Sequence, residues 1–238
     1  LQALRRLVGN DNFPRVFEGL QRAPDIGPPP AASGLSTATI GRVTNSTVRV
    51  EGQACDRLQD GSGFAVAPDT IVTNAHVVAG ERKTVVFRPD GAKLAATVVV
   101  FDSDRDLAIL RVPQLEQSPL AVASGNVGDS GAVFGHPNGV PQVVVAPATV
   151  SRQVEAVGRD LYDSHQTKRD VYILASQLHP GDSGGALVDR AGTVVGVAFA
   201  IAPDRPGTAY ALTTKELQPV LAAARGAATS TGPCINNG

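Results

Sequence analysis

Residues 94–112 read LAATVVVFDSDRDLAILRV, two apolar runs on either side of an acid-rich segment. Similar valine-rich runs, bounded by Gly, Pro, Asn and Asp clusters, recur along the chain from Thr39 onward. Almost no helical pattern of ten residues lies between them. Short strands at this spacing predict an all-β barrel or sandwich and argue against alternating β-α-β units.

The strand-like runs form two sets. The first set comprises residues 46–51, 63–67, 84–88, 94–101 and 108–112, and the second comprises 131–134, 143–150, 171–174, 185–188, 194–200 and 209–212. The Pro- and Gln-containing stretch 113–119 divides the sets nearly equally. This division predicts two consecutive small barrels.

Both ends of the chain carry different patterns. Residues 1–20 have apolar side chains at mostly three-to-four spacing, interrupted by Pro14, which predicts one or two short amphipathic helices. Four prolines within 23–36 predict a stiff linker, and the apolar spacing in 214–225 predicts a C-terminal helix. The expected organisation is a helical segment and linker at 1–36, a first barrel at 37–115, a second at 116–213, and a helix and tail at 214–238.

The composition of the 238 residues excludes several classes. With 42% apolar and 18% charged residues the chain is globular, and a net charge of −1 gives no reason to expect nucleic acid. No run approaches the roughly 18–20 apolar residues that span a bilayer. Because the chain begins at Leu1 and contains no methionine, we expect it to be either a processed product or a cut piece of a longer chain, with any membrane anchor or export signal upstream.

The chain has two cysteines, Cys55 and Cys234. Two such distant residues cannot supply the closely paired ligands of a zinc site. They form either a disulfide, which would indicate an oxidising compartment, or two separate thiols, which would suit the cytosol.

The sharpest chemical motif is Gly181-Asp182-Ser183-Gly184-Gly185. A serine among glycines can occupy a tight loop whose own amide and that of Gly181 point to one spot, as an oxyanion hole requires. The same composition also makes ordinary β-turns. The motif alone therefore leaves a catalytic loop and a plain turn open.

Two further residues favour the catalytic alternative. His76 lies in Thr73-Asn74-Ala75-His76-Val77-Val78 after an apolar pair, and Asp106 leads directly into Leu107-Ala108-Ile109-Leu110. Taken singly, the histidine could be a core residue and the acid a solvated cap. An acid there could instead hold an imidazole in one tautomer.

Chain order decides between two hydrolase types. Gly181-x-Ser183-x-Gly185 also matches the nucleophile elbow of α/β hydrolases, in which the histidine follows the serine. No histidine follows Ser183 in this sequence. His76, Asp106 and Ser183 instead have the His, Asp, Ser order of two-barrel proteases.

Together these three motifs resemble the chymotrypsin-like serine proteases of bacteria, particularly the trypsin-like and HtrA-type envelope proteases. The resemblance spans about residues 40–215 and includes Gly61-Ser62-Gly63-Phe64 and Phe134-Gly135-His136-Pro137-Asn138-Gly139. The proline-rich linker and the two distant cysteines are similar to the extracytoplasmic domain of the membrane-anchored acid-resistance proteases of actinobacteria.

The resemblance implies a fold of two six-stranded antiparallel β-barrels with the active site in the cleft between them. It implies that Ser183 is the nucleophile, that His76 is the general base oriented by Asp106, and that the amides of Gly181 and Ser183 form the oxyanion hole. Asp104 and Asp102 remain alternatives for the acid. Protein or peptide substrates, no cofactor, no metal and a place outside the cytoplasm are also implied, whereas the oligomeric state is not.

Some features depart from the digestive members of the family. Ala75, not a cysteine, precedes His76, and no Ile-Val-Gly-Gly sequence is present to supply a newly cut N-terminus. Asp182 therefore lacks an obvious cationic partner. We expect another element, the N-terminal segment or the disulfide, to set the loop geometry.

The resemblance also assigns a specificity pocket. Gln177 takes the position of its floor, and Phe199, Ala200 and Ile201 form its wall. Since no acid lines the floor, we expect a small or medium uncharged side chain at the cleavage position.

The remaining histidines have less defined roles. His179, four residues before Ser183, is either an exposed loop residue or a proton sensor for the loop. We interpret His136 and His165 as structural or surface residues. A catalytically silent scaffold that binds peptide in the cleft, and an esterase, remain alternative functions.

Overall fold

The computed structural model describes residues 24–235, so the helices predicted within residues 1–20 lie outside the described residues. Residues 24–36, part of the segment for which a stiff linker is predicted, contain no helix or strand. Among the described residues, no helix combines the length and apolar character needed to cross a membrane.

The first barrel is closed and antiparallel, in the order β1-β2-β3-β6-β5-β4. Its strands are β1 (Thr47–Ala54), β2 (Arg57–Ala67), β3 (Thr70–Thr73), β4 (Thr84–Phe87), β5 (Lys93–Asp102) and β6 (Leu107–Arg111). Val48, Val50, Ile71 and Leu110 fill its interior and are fully buried. Burial alternates along β4 as expected for a strand with one face toward the core.

The second barrel is also closed and antiparallel, in the order β10-β11-β12-β9-β8-β7. Its strands are β7 (Ser130–Gly135), β8 (Val144–Arg159), β9 (Gln166–Ser176), β10 (Ala186–Asp189), β11 (Val194–Ile201) and β12 (Thr208–Thr213). Val133, Leu174 and Leu187 belong to its interior. The predicted fold of two six-stranded antiparallel barrels is confirmed.

A shared apolar cluster holds the barrels together. It includes Phe64 of β2 and Phe134 of β7, both fully buried, and Leu217 of the C-terminal helix α3 (Thr214–Ala223). Burying large aromatic groups at this seam excludes water, which favours one fixed relation between the barrels. The prediction of a C-terminal helix is confirmed.

A helix at Thr37–Asn45, α1, was not predicted from the sequence. The Ser36 side chain caps it by accepting a hydrogen bond from Thr39 N (3.1 Å). Arg42 donates to the carbonyl of Ala191 in the β10–β11 turn (2.5 Å). The helix therefore joins the first strand to the second barrel. Few of its residues are apolar, so the sequence carries little helical periodicity.

The C-terminal tail returns to the first barrel. A disulfide joins Cys234 to Cys55, which lies in the tight β1–β2 turn, with their Cα atoms 6.2 Å apart. Cys55 and Asp56 both have positive φ, as a two-residue hairpin requires. Thr231 accepts from Gly80 N (3.0 Å) and donates to Glu81 O (2.9 Å), next to the short helix α2 (Ala75–Val78). The tail thereby contacts the residues that follow the helix carrying His76.

Candidate active site

His76 lies in α2, the single helical turn that follows β3. Only 9% of the residue is exposed. The side chain of the preceding Asn74 donates to the Asp106 carbonyl (2.7 Å). The turn is thus attached to the β5–β6 loop, which supplies the acid.

Asp106 contacts His76 at two points. One carboxylate oxygen accepts from the His76 backbone N–H (2.9 Å) and the other pairs with Nδ1 of the ring (2.7 Å). Asp106 is 1% exposed and has φ +56°, a left-handed conformation that Asp tolerates better than most residues. Donation from Nδ1 leaves Nε2 as the basic nitrogen of the neutral ring. The arrangement suits a general base.

The alternative acids have other partners. Asp102 accepts from the Arg105 backbone (2.8 Å) and side chain (3.1 Å). Asp104 pairs with His165 (3.0 Å). Of the three candidates, the structure brings Asp106 to His76.

The Ser183 loop, residues 180–185, lies between the barrels. Ser62 N of β2 donates to the Ser183 carbonyl (2.8 Å), and Gly184 N donates to Ala198 O of β11 (2.8 Å). Gly184 has φ +84°, and a Cβ there would overlap the Ser62 carbonyl and the Thr73 hydroxyl. Only glycine permits the loop to approach the first barrel this closely.

Ser183 and the helix that carries His76 both pack against Gly61 of β2. A Cβ built on Gly61 would lie 2.6 Å from Val77 Cγ2 and 3.1 Å from the Ser183 carbonyl. Within residues 24–235, the structure shows no hydrogen bond between the Ser183 hydroxyl and the imidazole. In resting enzymes this contact is often long and tightens only when substrate binds.

The predicted oxyanion donors are available. Gly181 has φ +96°, and a side chain there would collide with the His136 carbonyl and Asn138 N. In the described part of the chain, neither Gly181 N–H nor Ser183 N–H donates a hydrogen bond. Two unpaired amides two residues apart can receive one developing oxyanion.

Asp182, whose partner the sequence left open, is 4% exposed and accepts from the His179 backbone N–H (2.8 Å). Its other oxygen packs on Gly135, where a Cβ would lie 2.5 Å away. Burial raises the pKa of Asp182 to about 7. The His179 side chain is exposed, so the contact with Asp182 comes from its main chain.

The residues assigned to the specificity pocket lie at the end of β11 and directly after β9. Gln177 is exposed immediately after β9, and Ile201 is half-buried. Phe199 is fully buried in the cluster between the barrels, and Ala200 is 6% exposed. Ala198 N donates to Gly185 O (2.9 Å), so β11 runs beside the Ser183 loop.

The side chains of two histidines lie outside this arrangement. His136 is buried, its Nδ1 pairs with Val140 O (2.9 Å), and burial lowers its pKa to about 4. His165 is exposed and lies between Asp104 and Asp160. The ring nitrogen and carboxylate oxygens that these three residues could offer to a metal ion lie within 4.8 Å of one another. The two ring nitrogens of His165 already face these carboxylates, with Nε2 3.0 Å from Asp104 Oδ1 and Nδ1 3.9 Å from Asp160 Oδ2. His165 is thus a surface residue in contact with both carboxylates.

Sequence reasoning missed the residues that support the Ser183 loop. Ser62 Oγ contacts both His136 N (2.8 Å) and Gly181 O (2.7 Å), and Asn138 N donates to Pro180 O (2.5 Å). Both residues lie in motifs that carried the resemblance. The sequence signals that could have pointed to them are a serine between two glycines in a strand, at 61–63, and a Pro-Asn-Gly turn at 137–139.

Glu81 is a buried acid close to the C-terminal tail. It is 5% exposed, and its carboxylate accepts from the Thr84 hydroxyl (2.5 Å). Within the described residues Oε1 has no partner. Burial, opposed by the Thr84 hydrogen bond and assisted by the negative charge of nearby Glu51, raises the pKa of Glu81 to about 8. The protonated form is therefore the one that the fold favours.

Comparison with known proteins gives a consistent result. Residues 61–197 match the family model of the trypsin-like peptidase domain. Serine protease Rv3671c of Mycobacterium tuberculosis is 34% identical to this chain over 98% of its residues. The matched region is 60% of the length of Rv3671c, so the chain spans less than two thirds of that relative. A probable periplasmic serine endoprotease, DegP-like, of Halomonas elongata is 34% identical over 62% of the chain and 30% of its own length. The crystal structure of the active form of the Rv3671c protease superposes with a TM-score of 0.85 at 34% identity, over 93% of this chain and all of that one.

The raised pKa of Glu81 predicts a pH effect on stability. Its contribution is complete below its ordinary value of 4.5 and is lost as pH rises through about 8. The raised pKa of Asp182 likewise makes the fold less stable as pH rises. The lowered pKa of His136 has the opposite effect between about pH 4 and pH 6.5. Glu81→Gln lacks this titration. On going from pH 5 to pH 8, we therefore expect its free energy of unfolding to rise by at least about 1 kcal/mol relative to that of the original protein.

Chemical denaturation across this pH range measures the difference. The exposed Glu155, paired with Lys168, provides the control Glu155→Gln, which should follow the original protein closely. Parallel stability curves for Glu81→Gln and the original protein would contradict the assignment of a buried, protonated carboxyl group.

Proposed function

The chain belongs to the trypsin-like peptidase family, and from this premise we propose that it is a serine endopeptidase acting through a His76, Asp106 and Ser183 triad. The observation that carries the proposal is the 2.7 Å pair between His76 Nδ1 and Asp106, beside the loop that bears Ser183. A buried carboxylate in this position fixes the ring and stabilises its protonated form.

In the first step the Ser183 hydroxyl attacks the substrate carbonyl. His76 Nε2 takes the hydroxyl proton as the new C–O bond forms, and the carbonyl π electrons move to its oxygen. Asp106 stabilises the resulting imidazolium without taking the proton. Gly181 N–H and Ser183 N–H, unpaired within the described chain, bind the oxyanion.

The tetrahedral intermediate then loses the amine. The C–N bond breaks and His76 gives its proton to the leaving nitrogen, which leaves an acyl group on Ser183. Water enters, loses a proton to His76 and attacks the ester. Collapse of the second intermediate returns that proton to Ser183 and releases the carboxylic acid.

Because Gln177, the residue assigned to the pocket floor, is uncharged, we infer that the residue at the cleavage position is small or medium and uncharged. The wall assignment for Phe199, Ala200 and Ile201 stays a prediction. The burial of Phe199 favours a role beneath the pocket surface.

The protein is proposed to act outside the cytoplasm, on envelope or other extracytoplasmic proteins. The Cys55–Cys234 disulfide suits an oxidising compartment, and the Halomonas relative is named as periplasmic. From the resemblance to membrane-anchored acid-resistance proteases we also infer membrane anchoring and a role in the stress response and acid resistance.

Removing either reacting side chain tests the proposed chemistry. We expect Ser183→Ala and His76→Ala each to lower kcat on a protein or peptide substrate by about 10⁶, the magnitude measured in another serine protease. A fluorophosphonate probe should label Ser183 and should fail with His76→Ala. The exposed Ser118 provides the control Ser118→Ala, which should be labelled normally. Absence of labelling and cleavage in the original protein would support a binding scaffold, and cleavage of esters alone would support an esterase.

The acid assignment is tested separately. Asp106→Asn retains a side chain that tolerates φ +56°, but an amide can present its NH₂ to Nδ1 and favour the wrong tautomer. We expect kcat to fall by about 10⁴, as in the corresponding change of another serine protease, with near-normal folding. Asp102→Asn and Asp104→Asn should each remain within about tenfold of the original kcat. A larger loss in either of these two variants would reassign the acid.

The oxidising location predicts a paired state for the cysteines in the native host. Mass spectrometry of the non-reduced protein, alkylated at lysis, should find the peptides containing Cys55 and Cys234 joined. The reduced sample, in which both peptides separate, is the control. Two alkylated thiols in freshly isolated protein would contradict extracytoplasmic folding.

A further inference from the structure

The motifs Gly61-Ser62-Gly63-Phe64 and 134–139, one in each barrel, meet at one hydroxyl group. Ser62 is fully buried in β2. Its Oγ accepts from the His136 backbone N–H (2.8 Å) and lies 2.7 Å from the Gly181 carbonyl. Since His136 N–H can only donate, the single Ser62 proton is available for the carbonyl of Gly181.

The same residue contacts the loop a second time. Ser62 N donates to the Ser183 carbonyl at 2.8 Å. The Ser62 carbonyl accepts from the Thr73 hydroxyl (2.7 Å), three residues before His76. One residue of the first barrel therefore holds the loop on both sides of Asp182 and is itself tied to the strand that leads to the imidazole.

These contacts determine which way the peptide groups around Gly181 face. The Pro180 carbonyl is held by Asn138 N–H (2.5 Å), and the Gly181 carbonyl is held by Ser62. In a trans peptide the C=O and the following N–H point in opposite directions. Fixing the Pro180 carbonyl against the turn thus directs Gly181 N–H away from that turn. A rotation of this peptide would replace a donor by a carbonyl oxygen, which repels an oxyanion.

We propose that Ser62 is a positioning residue for the oxyanion hole, acting from the opposite barrel through the Gly181 carbonyl and the backbone of His136. The inference rests on the proposed function, since it assigns the donor at Gly181 a role in acyl transfer. Asn138 completes the support through its left-handed backbone, φ +54°. Neither side chain touches the substrate or the reacting atoms.

Ser62→Ala removes the hydroxyl and leaves both oxyanion amides in the chain. Complete removal of one oxyanion donor costs about 10²–10³ in kcat. Because the variant loosens the peptide without deleting the donor, we expect kcat to fall roughly 10- to 100-fold while KM changes less than about twofold. A peptidyl boronate should lose affinity by the same factor as kcat/KM, since its tetrahedral adduct needs the hole.

Ser46 supplies the matched control. It is also fully buried in the first barrel, and its Oγ contacts the carbonyls of Ser118 (2.6 Å) and Arg42 (3.1 Å), remote from the loop. Ser46→Ala loses a comparable hydroxyl, and its kcat and boronate affinity should remain within about twofold of the original. Thermal unfolding of both variants compares their stability.

If Ser62→Ala does not fold, the exposed turn residue Asn138 gives a second comparison. Glycine retains the positive φ at this position, whereas β-branched valine strains it. We expect kcat of Asn138→Val to be at least about tenfold below that of Asn138→Gly.

The outcomes separate the inference from the proposed function. An original protein that neither cleaves peptides nor binds the boronate would overturn both. If the original enzyme is active and Ser62→Ala matches Ser46→Ala in kcat, or if Asn138→Val matches Asn138→Gly where Ser62→Ala fails to fold, the positioning role is wrong and the triad stands. A Ser62→Ala effect confined to KM would also overturn the inference.

Discussion

The hydrogen bond between Ser62 N and the Ser183 carbonyl, 2.8 Å long, is the contact on which the arrangement of the site depends. It joins the loop of one barrel to a strand of the other, at a seam where Phe64 and Phe134 already exclude water. Apolar burial brings the barrels together but has no preferred direction. Directed hydrogen bonds at Ser62 give the loop one position, which a hydrophobic seam alone would not select.

The second constraint is the left-handed backbone of Asp106. A positive φ at a non-glycine residue costs free energy and persists only where surrounding contacts hold it. Here the carboxylate accepts two hydrogen bonds from His76, and the carbonyl accepts one from Asn74. The strain therefore lies at the residue that aligns the imidazole. The Gly184 contact with Ser62 is a comparable case, in which absence of a side chain permits the approach.

The sequence predicted much of this molecule because its strands are marked by local patterns. The eleven apolar runs lie within or largely within eleven of the twelve strands of residues 24–235, and β3 is the strand they omitted. The choice of Asp106 over Asp102 and Asp104 came instead from the resemblance, because the family's acid directly precedes a strand of this type. Helix α1 escaped because Ser36 and Arg42 stabilise it through a cap and a long-range contact, not through apolar periodicity. Ser62 could not be assigned for the same reason, because its partners lie 74 and 119 positions away in the chain.

A crystal structure of the protein with a bound peptidyl boronate tests the central claim most directly, because the adduct reports on both barrels at once. The account predicts boron bonded to Ser183 Oγ, one boronate oxygen 2.7–3.1 Å from both Gly181 N and Ser183 N, and His76 Nε2 beside the adduct. An adduct at another residue, or a boronate oxygen directed away from Gly181 with His76 out of reach, would contradict it.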